Sequence, residues 1–137
     1  MINRQALLSD LQALLKSTRF KKFSYADKLS KDKDGMRQAI SFWLSYWRDV
    51  LLNEFMVEET GCLAMTAKGA DPLVVRPQPT HDEAVPNANG VFAEALVRLA
   101  QITEAADDME RAADTLSRLV GVARASPLGH TSILNAL

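Results

Sequence analysis

The sequence has a single cysteine and almost no net charge, and each scarcity excludes a class of protein. Because Cys62 is the one cysteine, a copy of the chain can form neither an internal disulfide nor a cysteine-rich zinc site. The formal net charge at pH 7 is −1, which gives no long-range attraction to nucleic acid or to anionic membranes. We therefore expect a cytoplasmic protein.

Long apolar runs are also lacking. The most apolar segment, residues 39–55, is interrupted by polar and charged residues, which are Arg48, Asp49, Asn53 and Glu54. A membrane span needs roughly 20 consecutive, mainly apolar residues. The first residues enter an amphipathic pattern instead of a charged stretch, an apolar block and a cleavage site. We expect no membrane partner, no membrane span and no signal peptide.

The composition changes at about Thr60. Six of the seven lysines and eight of the nine aromatic residues occur up to that position, whereas 15 of the 19 alanines follow it. The net charge is 10 minus 8, or +2, over residues 1–60 and 6 minus 9, or −3, over the remainder. An aromatic core beside an alanine-rich helical pair would produce this change, and so would a junction between two sequences of separate origin.

Helical periodicity dominates the first half of the chain. Leucines three and four residues apart predict a helix over about residues 3–17, and a short second helix follows it. Asp32 is the predicted N-cap of a third and longest helix that runs to about Glu58. The apolar face of this third helix is wide enough to need packing partners on two sides.

Proline and glycine interrupt the helical pattern in residues 59–89, which we predict to be a long connection. Within it, residues 73–75 are the one candidate for a short extended segment. Helical periodicity resumes in residues 90–137 and predicts a helical hairpin. Ser126 followed by Pro127 predicts the start of a short last helix.

The predicted fold is all-α, a small bundle of about five to six helices with a long proline-rich connection. Its parts are a three-helix segment over residues 1–58, a linker loop over residues 59–89, and a hairpin with a short terminal helix over residues 90–137. We expect these parts to form one composite domain. Exchange of segments between copies stays an open alternative.

Two stretches of the first half carry a family resemblance. Residues 23–34 (FSYADKLSKDKD) and 42–52 (FWLSYWRDVLL) resemble the C-terminal collar region of the bacterial DNA polymerase III delta-prime subunit. That family shows an A-x-x-L-x-K-D helix followed by a W-L-x-x-W-R-D-L-L helix, and the resemblance covers about residues 1–57. In the family, the collar holds clamp-loader subunits together by helix packing. The resemblance implies clamp-loader-type helices as partners.

The second half resembles a different family. Residues 71–90 (DPLVVRPQPTHDEAVPNANG), 93–100 and 126–137 are similar to the C-terminal end of the thioredoxin-domain-containing family built on an (α/α) barrel like the N-acylglucosamine epimerases. The resemblance covers about residues 61–137, and D-x-A-x-P-N-x-N before a helix is its most specific element. Because the two families are functionally unrelated, the two resemblances together imply a chimera, for which we favour an artificial origin.

The linker loop holds a weak candidate site formed by His81, Asp82, Asn87 and Asn89. Histidine and carboxylate side chains bind metals or transfer protons, but neighbouring residues rarely converge on one metal without a third ligand fixed by the fold. Cys62 would need a depressed pKa and a base within reach to act as a nucleophile. We predict no catalytic, cofactor-binding or metal-binding residue and no enzymatic activity.

The third helix carries a candidate interaction surface formed by Phe42, Trp43, Tyr46 and Trp47. Trp43 and Trp47 lie four residues apart and therefore share one face of the helix. Packing inside a core would cover this face, whereas an uncovered aromatic face would drive association. The two interpretations carry nearly equal weight.

Residues 19–37 are locally basic, with seven basic and three acidic side chains. Phe20, Phe23 and Tyr25 are interleaved with them, as in some nucleic-acid surfaces. We expect a solvated helical face and no nucleic-acid binding, because these aromatics fall at core spacing instead of forming an exposed stacking row.

The predicted function is packing and self-association, with a second copy of the chain as the partner. One alternative is a collar-type interaction module acting in DNA replication. The other is a fragment of an (α/α)-barrel enzyme acting on sugars or thiols.

Overall fold

The computed structural model describes residues 3–70 and 75–137. These residues form an all-α protein, as predicted, with six α-helices and one two-stranded hairpin among them. The helices are α1 (Arg4–Leu15), α2 (Arg19–Ser30), α3 (Lys33–Phe55), α4 (Ala88–Thr103), α5 (Ala106–Ala125) and α6 (Thr131–Ala136). Most of the predicted extended segment at residues 73–75 lies outside the described residues. Val75, which is described, is exposed and belongs to no strand.

Two compact units make up the chain, with unit 1 ending at Arg48 and unit 2 beginning at Asp49. The division falls inside α3 and not near residue 58, where the composition changes. The last turns of α3 belong to unit 2 because Leu52 and Phe55 pack against its core. The predicted limits of the segments at residues 58 and 89 stay a prediction.

Side-chain caps fix where α1 and α3 begin. The Asn3 side chain accepts a hydrogen bond from the Gln5 amide at 3.0 Å. The Asp32 carboxylate accepts one from the Gly35 amide at 2.9 Å. Such bonds satisfy amides that have no partner in the first turn of a helix. The prediction of Asp32 as an N-cap is confirmed.

Unit 1 is held together by a small number of contacts between α1, α2 and α3. The indole Nε1 of Trp43 donates to the Leu7 carbonyl at 2.9 Å, and the ring of Trp43 lies 6.0 Å from that of Tyr25. The Tyr25 hydroxyl donates to Asp10 Oδ2 at 2.8 Å. Burial, together with the hydrogen bond and charge of Asp10, raises the pKa of Tyr25 to about 12. The tyrosine therefore stays neutral and keeps its donor at physiological pH.

A short β-hairpin follows α3 directly. Strand β1 (Met56–Val57) pairs antiparallel with β2 (Cys62–Leu63), and the turn between them uses Gly61 with φ of 64°. Strand β1 lies where we expected the third helix to continue to about Glu58, so that predicted helix end is wrong, and β2 lies in the predicted connection. Strands of two residues show no detectable alternation, so periodicity could not predict them.

Unit 2 has its core between α4, α5 and α6. The buried side chains of the core form two clusters, and the largest completely buried ones are Leu96, Leu119 and Ile133. Helices α4 and α6 approach so closely at Gly90 that a Cβ there would lie 2.7 Å from the Ser132 carbonyl carbon and 2.8 Å from the Ile133 amide nitrogen. Glycine is required at this crossing because the atoms it meets belong to a backbone.

The end of the chain differs from the prediction in one respect. Ser126 and Pro127 open a single turn of 3-10 helix, Pro127–Gly129, and α6 begins separately at Thr131. The prediction that Ser126 and Pro127 start the last helix is therefore wrong. The turn is pinned because the Gly129 carbonyl accepts a hydrogen bond from the Asp82 amide at 2.7 Å.

Candidate functional site

The loop before α4 brings Asp82 against the beginnings of α4 and α6. Its Oδ1 accepts hydrogen bonds from the backbone and side-chain nitrogens of Asn87, at 2.8 and 2.9 Å, and from the Ser132 hydroxyl. Its Oδ2 accepts from the Ser132 amide at 2.8 Å and from the Thr131 hydroxyl at 2.9 Å. One carboxylate therefore joins three segments that lie up to 50 residues apart in the sequence.

These bonds determine the charge state of Asp82. Burial raises the pKa of its carboxyl, but hydrogen bonds from Ser132, Asn87 and Thr131 outweigh burial and hold the pKa well below its usual range. Donors that point at a carboxylate stabilise its charged form. Asp82 is thus a permanent anion near neutral pH and a very weak general base.

Asn87 and Asn89 are both buried, but Asn87 bonds to Asp82 whereas Asn89 bonds to other segments. Asn87 caps α4, because its Oδ1 accepts from the Gly90 amide at 2.8 Å while its Nδ2 donates to the Ser132 hydroxyl at 2.6 Å. Asn89 Oδ1 accepts from the Leu63 amide at 2.6 Å, and its Nδ2 donates to the carbonyls of Leu63 and Pro79 at 3.2 and 2.9 Å. The Asn89 amide satisfies the free edge of β2 as a neighbouring strand would.

His81 lies apart from this hydrogen-bonded set. It is exposed, and its ring centre is 5.1 Å from that of His130. The buried His130 places Nδ1 2.8 Å from the Ser126 carbonyl oxygen. His81 and Glu83 border a depression in unit 2 of about 500 Å³, whose other lining residues are mainly apolar. Within residues 3–70 and 75–137, no three histidine, cysteine or acidic side chains are grouped to hold a metal ion.

The structure therefore joins Asp82 to Asn87, whereas Asn89 bonds to other parts of unit 2 and His81 lies apart. The polar atoms of Asp82, Asn87 and Asn89 bond to neighbouring parts of unit 2, which leaves little hydrogen-bonding capacity for a substrate. The signal for this arrangement in the sequence is the spacing of Asp82, Asn87 and Gly90 ahead of a helix. The partner Ser132 could not be found from that spacing.

The candidate surface on α3 is divided in the structure. Phe42, Trp43 and Tyr46 are half-buried, and Trp43 borders a groove of unit 1 of about 430 Å³. Trp47 is 41% exposed and contacts Tyr46 edge to face, with ring centres 5.4 Å apart. Trp43 therefore packs within unit 1, whereas Trp47 is partly exposed to solvent.

Phe20 and Phe23 are also at the surface of unit 1. Their exposed fractions are 81% and 74%, so the expectation that they occupy core positions is wrong. At 100° per residue, the two phenylalanines lie on the side of α2 away from Tyr25 and Leu29, the two residues of α2 that are half-buried. Helix α2 has no buried residue at all.

The two units differ strongly in charge. Unit 1 has 10 basic and 4 acidic residues, a net charge of +6, whereas unit 2 has 6 basic and 13 acidic residues, a net charge of −7. The net charge of the whole chain is close to zero because the opposite net charges of the two units nearly cancel. Each unit is expected to attract an oppositely charged partner at low salt.

No family model, curated protein or solved structure matches this chain. Among the described residues, no helix has the length and apolar character required to cross a bilayer.

Proposed function

We propose that this protein is a helical interaction module whose activity is self-association, without catalysis of its own. The observation that carries the proposal is the incomplete burial of unit 1. Its buried side chains are those of Leu7, Leu11 and Ala39, whereas large apolar side chains remain exposed. We call the exposed set the unit 1 apolar surface; its members are Leu15, Phe20, Phe23, Ile40, Leu44 and Trp47.

Burying these exposed apolar side chains against a partner would be energetically favourable. Isolated apolar residues at a protein surface are ordinary, but six large ones on a unit whose described residues bury three apolar side chains leave much apolar area that the unit does not cover itself. Burying apolar area contributes roughly 25 cal/mol per Å², and a unit with so little core gains much from a partner. The hydrogen bonds of Asp82 support the absence of catalysis in this proposal, because they join segments of the protein to one another and leave the carboxylate little capacity to bind a substrate.

The direct test is sedimentation equilibrium over a wide range of protein concentration. We expect a reversible increase of mass from that of a 15.1 kDa chain to twice that value. Paired substitution of Phe20 and Phe23 by serine tests whether α2 contributes to the contact. A chain that stays monomeric at the highest soluble concentration would refute self-association.

A collar-type module in DNA replication is the second candidate. Its support is the resemblance of residues 23–34 and 42–52 to the delta-prime collar, a region that works by helix packing. This candidate requires binding to clamp-loader collar subunits, which a pull-down with purified subunits would detect. Failure to bind them, combined with self-association, would leave the first proposal alone.

A chimeric origin is part of the same proposal. The change of composition near Thr60 and the two unrelated resemblances support a junction between a collar-like segment and a barrel-like segment. Helices taken from larger assemblies would lose the neighbours that covered their apolar faces. A natural family that spans the junction without a break would refute this origin, and activity toward sugars or thiols would favour the barrel-enzyme alternative.

A further inference from the structure

Asparagine followed by glycine is the pair of residues most prone to spontaneous deamidation, and the sequence contains this pair once. Asn89 precedes Gly90, whereas the other four asparagines precede residues with a side chain. Glycine favours the reaction because it has no Cβ to hinder its own nitrogen. A site of chemical modification therefore lies in the first turn of α4, inside unit 2.

Deamidation joins two groups of the chain and consumes water. The Gly90 amide nitrogen attacks Cγ of Asn89. The N–Cγ bond forms, the Cγ–Nδ2 bond breaks, and ammonia leaves with the proton that the Gly90 nitrogen gives up. Water then opens the cyclic imide on either side of its nitrogen. One opening yields aspartate, and the other yields isoaspartate, in which the main chain passes through the side-chain carbon.

The fold shields both reacting groups. The Asn89 side chain is 0% exposed, its Oδ1 accepts from the Leu63 amide at 2.6 Å, and its Nδ2 donates to the carbonyls of Leu63 and Pro79. The Gly90 nitrogen donates to Asn87 Oδ1 at 2.8 Å. Attack would break these bonds and turn the backbone of Asn89 out of its helical conformation. Deamidation therefore requires the beginning of α4 to open.

The contacts that protect the amide do not fit its product. Nδ2 of Asn89 is the donor to the Leu63 and Pro79 carbonyls, whereas an ionised aspartate has no donor. A carboxylate would face carbonyl oxygens in a buried site, which is strongly unfavourable. Isoaspartate lengthens the main chain directly before Gly90, where the backbone of α6 already lies in close contact. Neither product restores the native beginning of α4.

From these observations we infer that Asn89 is a modification site controlled by the fold. It deamidates in chains whose unit 2 has opened, and the modification prevents those chains from regaining the native unit 2. Folded protein keeps the amide, whereas a chain that stays open is converted irreversibly. The inference goes beyond self-association and does not depend on it.

Deamidation kinetics test the protection in the full chain. The protein is incubated at mildly alkaline pH with and without denaturing urea, and peptide mass spectrometry locates each conversion of amide to acid. We expect Asn89 to react at least about hundredfold more slowly in the folded protein, because the rate follows the population of the open state. Asn87, which precedes alanine, is the internal control and should keep its amide in urea while Asn89 converts. Equal rates of Asn89 with and without urea, or an unreactive Asn89 in urea, would overturn the inference.

Gly90→Ala separates the chemistry from stability. The added methyl group hinders attack by the nitrogen at position 90, so in urea Asn89 of this variant should react as slowly as Asn87 of the wild type. The same substitution is expected to destabilise unit 2, because the new Cβ meets the backbone of α6. A variant that opens more often would then deamidate less. An unchanged rate in urea would contradict attack by the Gly90 nitrogen.

The buried thiol of Cys62 reports whether the product fits, because it lies in β2 next to Leu63. Protein partly deamidated in urea is refolded, treated briefly with a biotin-tagged alkylating reagent and captured on streptavidin. We expect aspartate and isoaspartate at position 89 in the captured fraction and asparagine in the uncaptured fraction. Equal deamidation of the two fractions would overturn the exclusion of the product.

Two variants repeat this comparison without a urea step. Asn89→Asp reproduces the aspartate product, and Asn135→Asp makes the same change at an exposed position of α6. We expect Cys62 to be alkylated readily in the first variant and to stay as protected as in the wild type in the second. Protection of Cys62 in Asn89→Asp equal to that of the wild type would show that unit 2 accepts the product, against the inference.

Discussion

Replacing Gly90 by alanine tests whether the close crossing of α4 and α6 is as tight as the structure indicates. The added Cβ would lie 2.6 Å from the Ser132 hydroxyl oxygen, 2.7 Å from the Ser132 carbonyl carbon and 2.8 Å from the Ile133 amide nitrogen. A hydroxyl can rotate away, but two of the three atoms belong to the backbone. Helix α6 must therefore move as a whole.

The expected size of the effect follows from three contributions. Overpacking of a tight site costs about 1–3 kcal/mol, and alanine returns about 0.5–1 kcal/mol through its better helix propensity. Movement of Ser132 also weakens its hydrogen bonds to the Asp82 carboxylate, and bonds to charged groups contribute about 1.5–3 kcal/mol. We expect Gly90→Ala to lower the free energy of unfolding of unit 2 by about 2–4 kcal/mol.

Gly121→Ala is the matched control. Gly121 lies in the interior of α5, and a Cβ there would meet no atom within 4 Å. Alanine at this position should raise the free energy of unfolding by about 0.5–1 kcal/mol, because only the propensity contribution remains. The two substitutions are chemically identical but are expected to change stability in opposite directions.

The chain offers a separate probe for each unit. All tryptophans and tyrosines are in unit 1, whereas the single thiol, Cys62, is buried in unit 2. Burial raises the pKa of this thiol, so alkylation is slow until unit 2 opens. Urea-dependent alkylation therefore reports unit 2, and tryptophan fluorescence reports unit 1.

At about 4–8 °C per kcal/mol for a unit of this size, Gly90→Ala should lower the melting temperature of unit 2 by at least about 8 °C. An unchanged midpoint, or equal effects of Gly90→Ala and Gly121→Ala, would refute the close contact between α4 and α6.

Three further predictions concern single side chains. Because the folded pKa of Asp82 is depressed, its contribution to stability is complete above the unfolded value of about 3.9 and is lost as the pH falls below it; denaturation series at several pH values should show a flatter acid limb for Asp82→Asn. Asn89→Ala removes the partner of the buried amide and carbonyl of Leu63 and of the partly buried Pro79 carbonyl, and should cost at least about 3 kcal/mol; an equally stable variant would contradict its role at the edge of β2. Tyr25→Phe should remove the tyrosinate absorbance that titrates at about pH 12; its persistence in the variant would show that the raised pKa does not belong to Tyr25.

Local signals in the sequence were sufficient for most of the helical fold. The leucines of α1, the Asp32 cap and the periodicity of residues 90–137 act over one or two turns, and the structure follows them. The wide apolar face of α3 was also predicted from its helical periodicity. These features depend on neighbours within the same helix, which a single sequence contains in full.

Features that depend on distant contacts were not predictable in the same way. Asp82 and Ser132 are 50 residues apart, and neither position indicates the other. The direction of Phe23 depends on which side of α2 turns toward α1 and α3. The division inside α3 leaves no mark in its periodicity, because a helix continues regularly whichever unit each face packs against.

The two units differ in how their stability is obtained, and this difference connects stability with association. Unit 2 has a buried core and the hydrogen bonds of Asp82, so the contacts that stabilise it lie within the unit itself. Unit 1 buries few side chains and depends on the Trp43 and Tyr25 contacts and on whatever covers its apolar surface. Since anything that binds only the folded form stabilises it by mass action, a partner that covers the exposed apolar side chains of unit 1 would stabilise the unit that needs it more. Association of this chain is therefore expected to be part of how unit 1 remains folded.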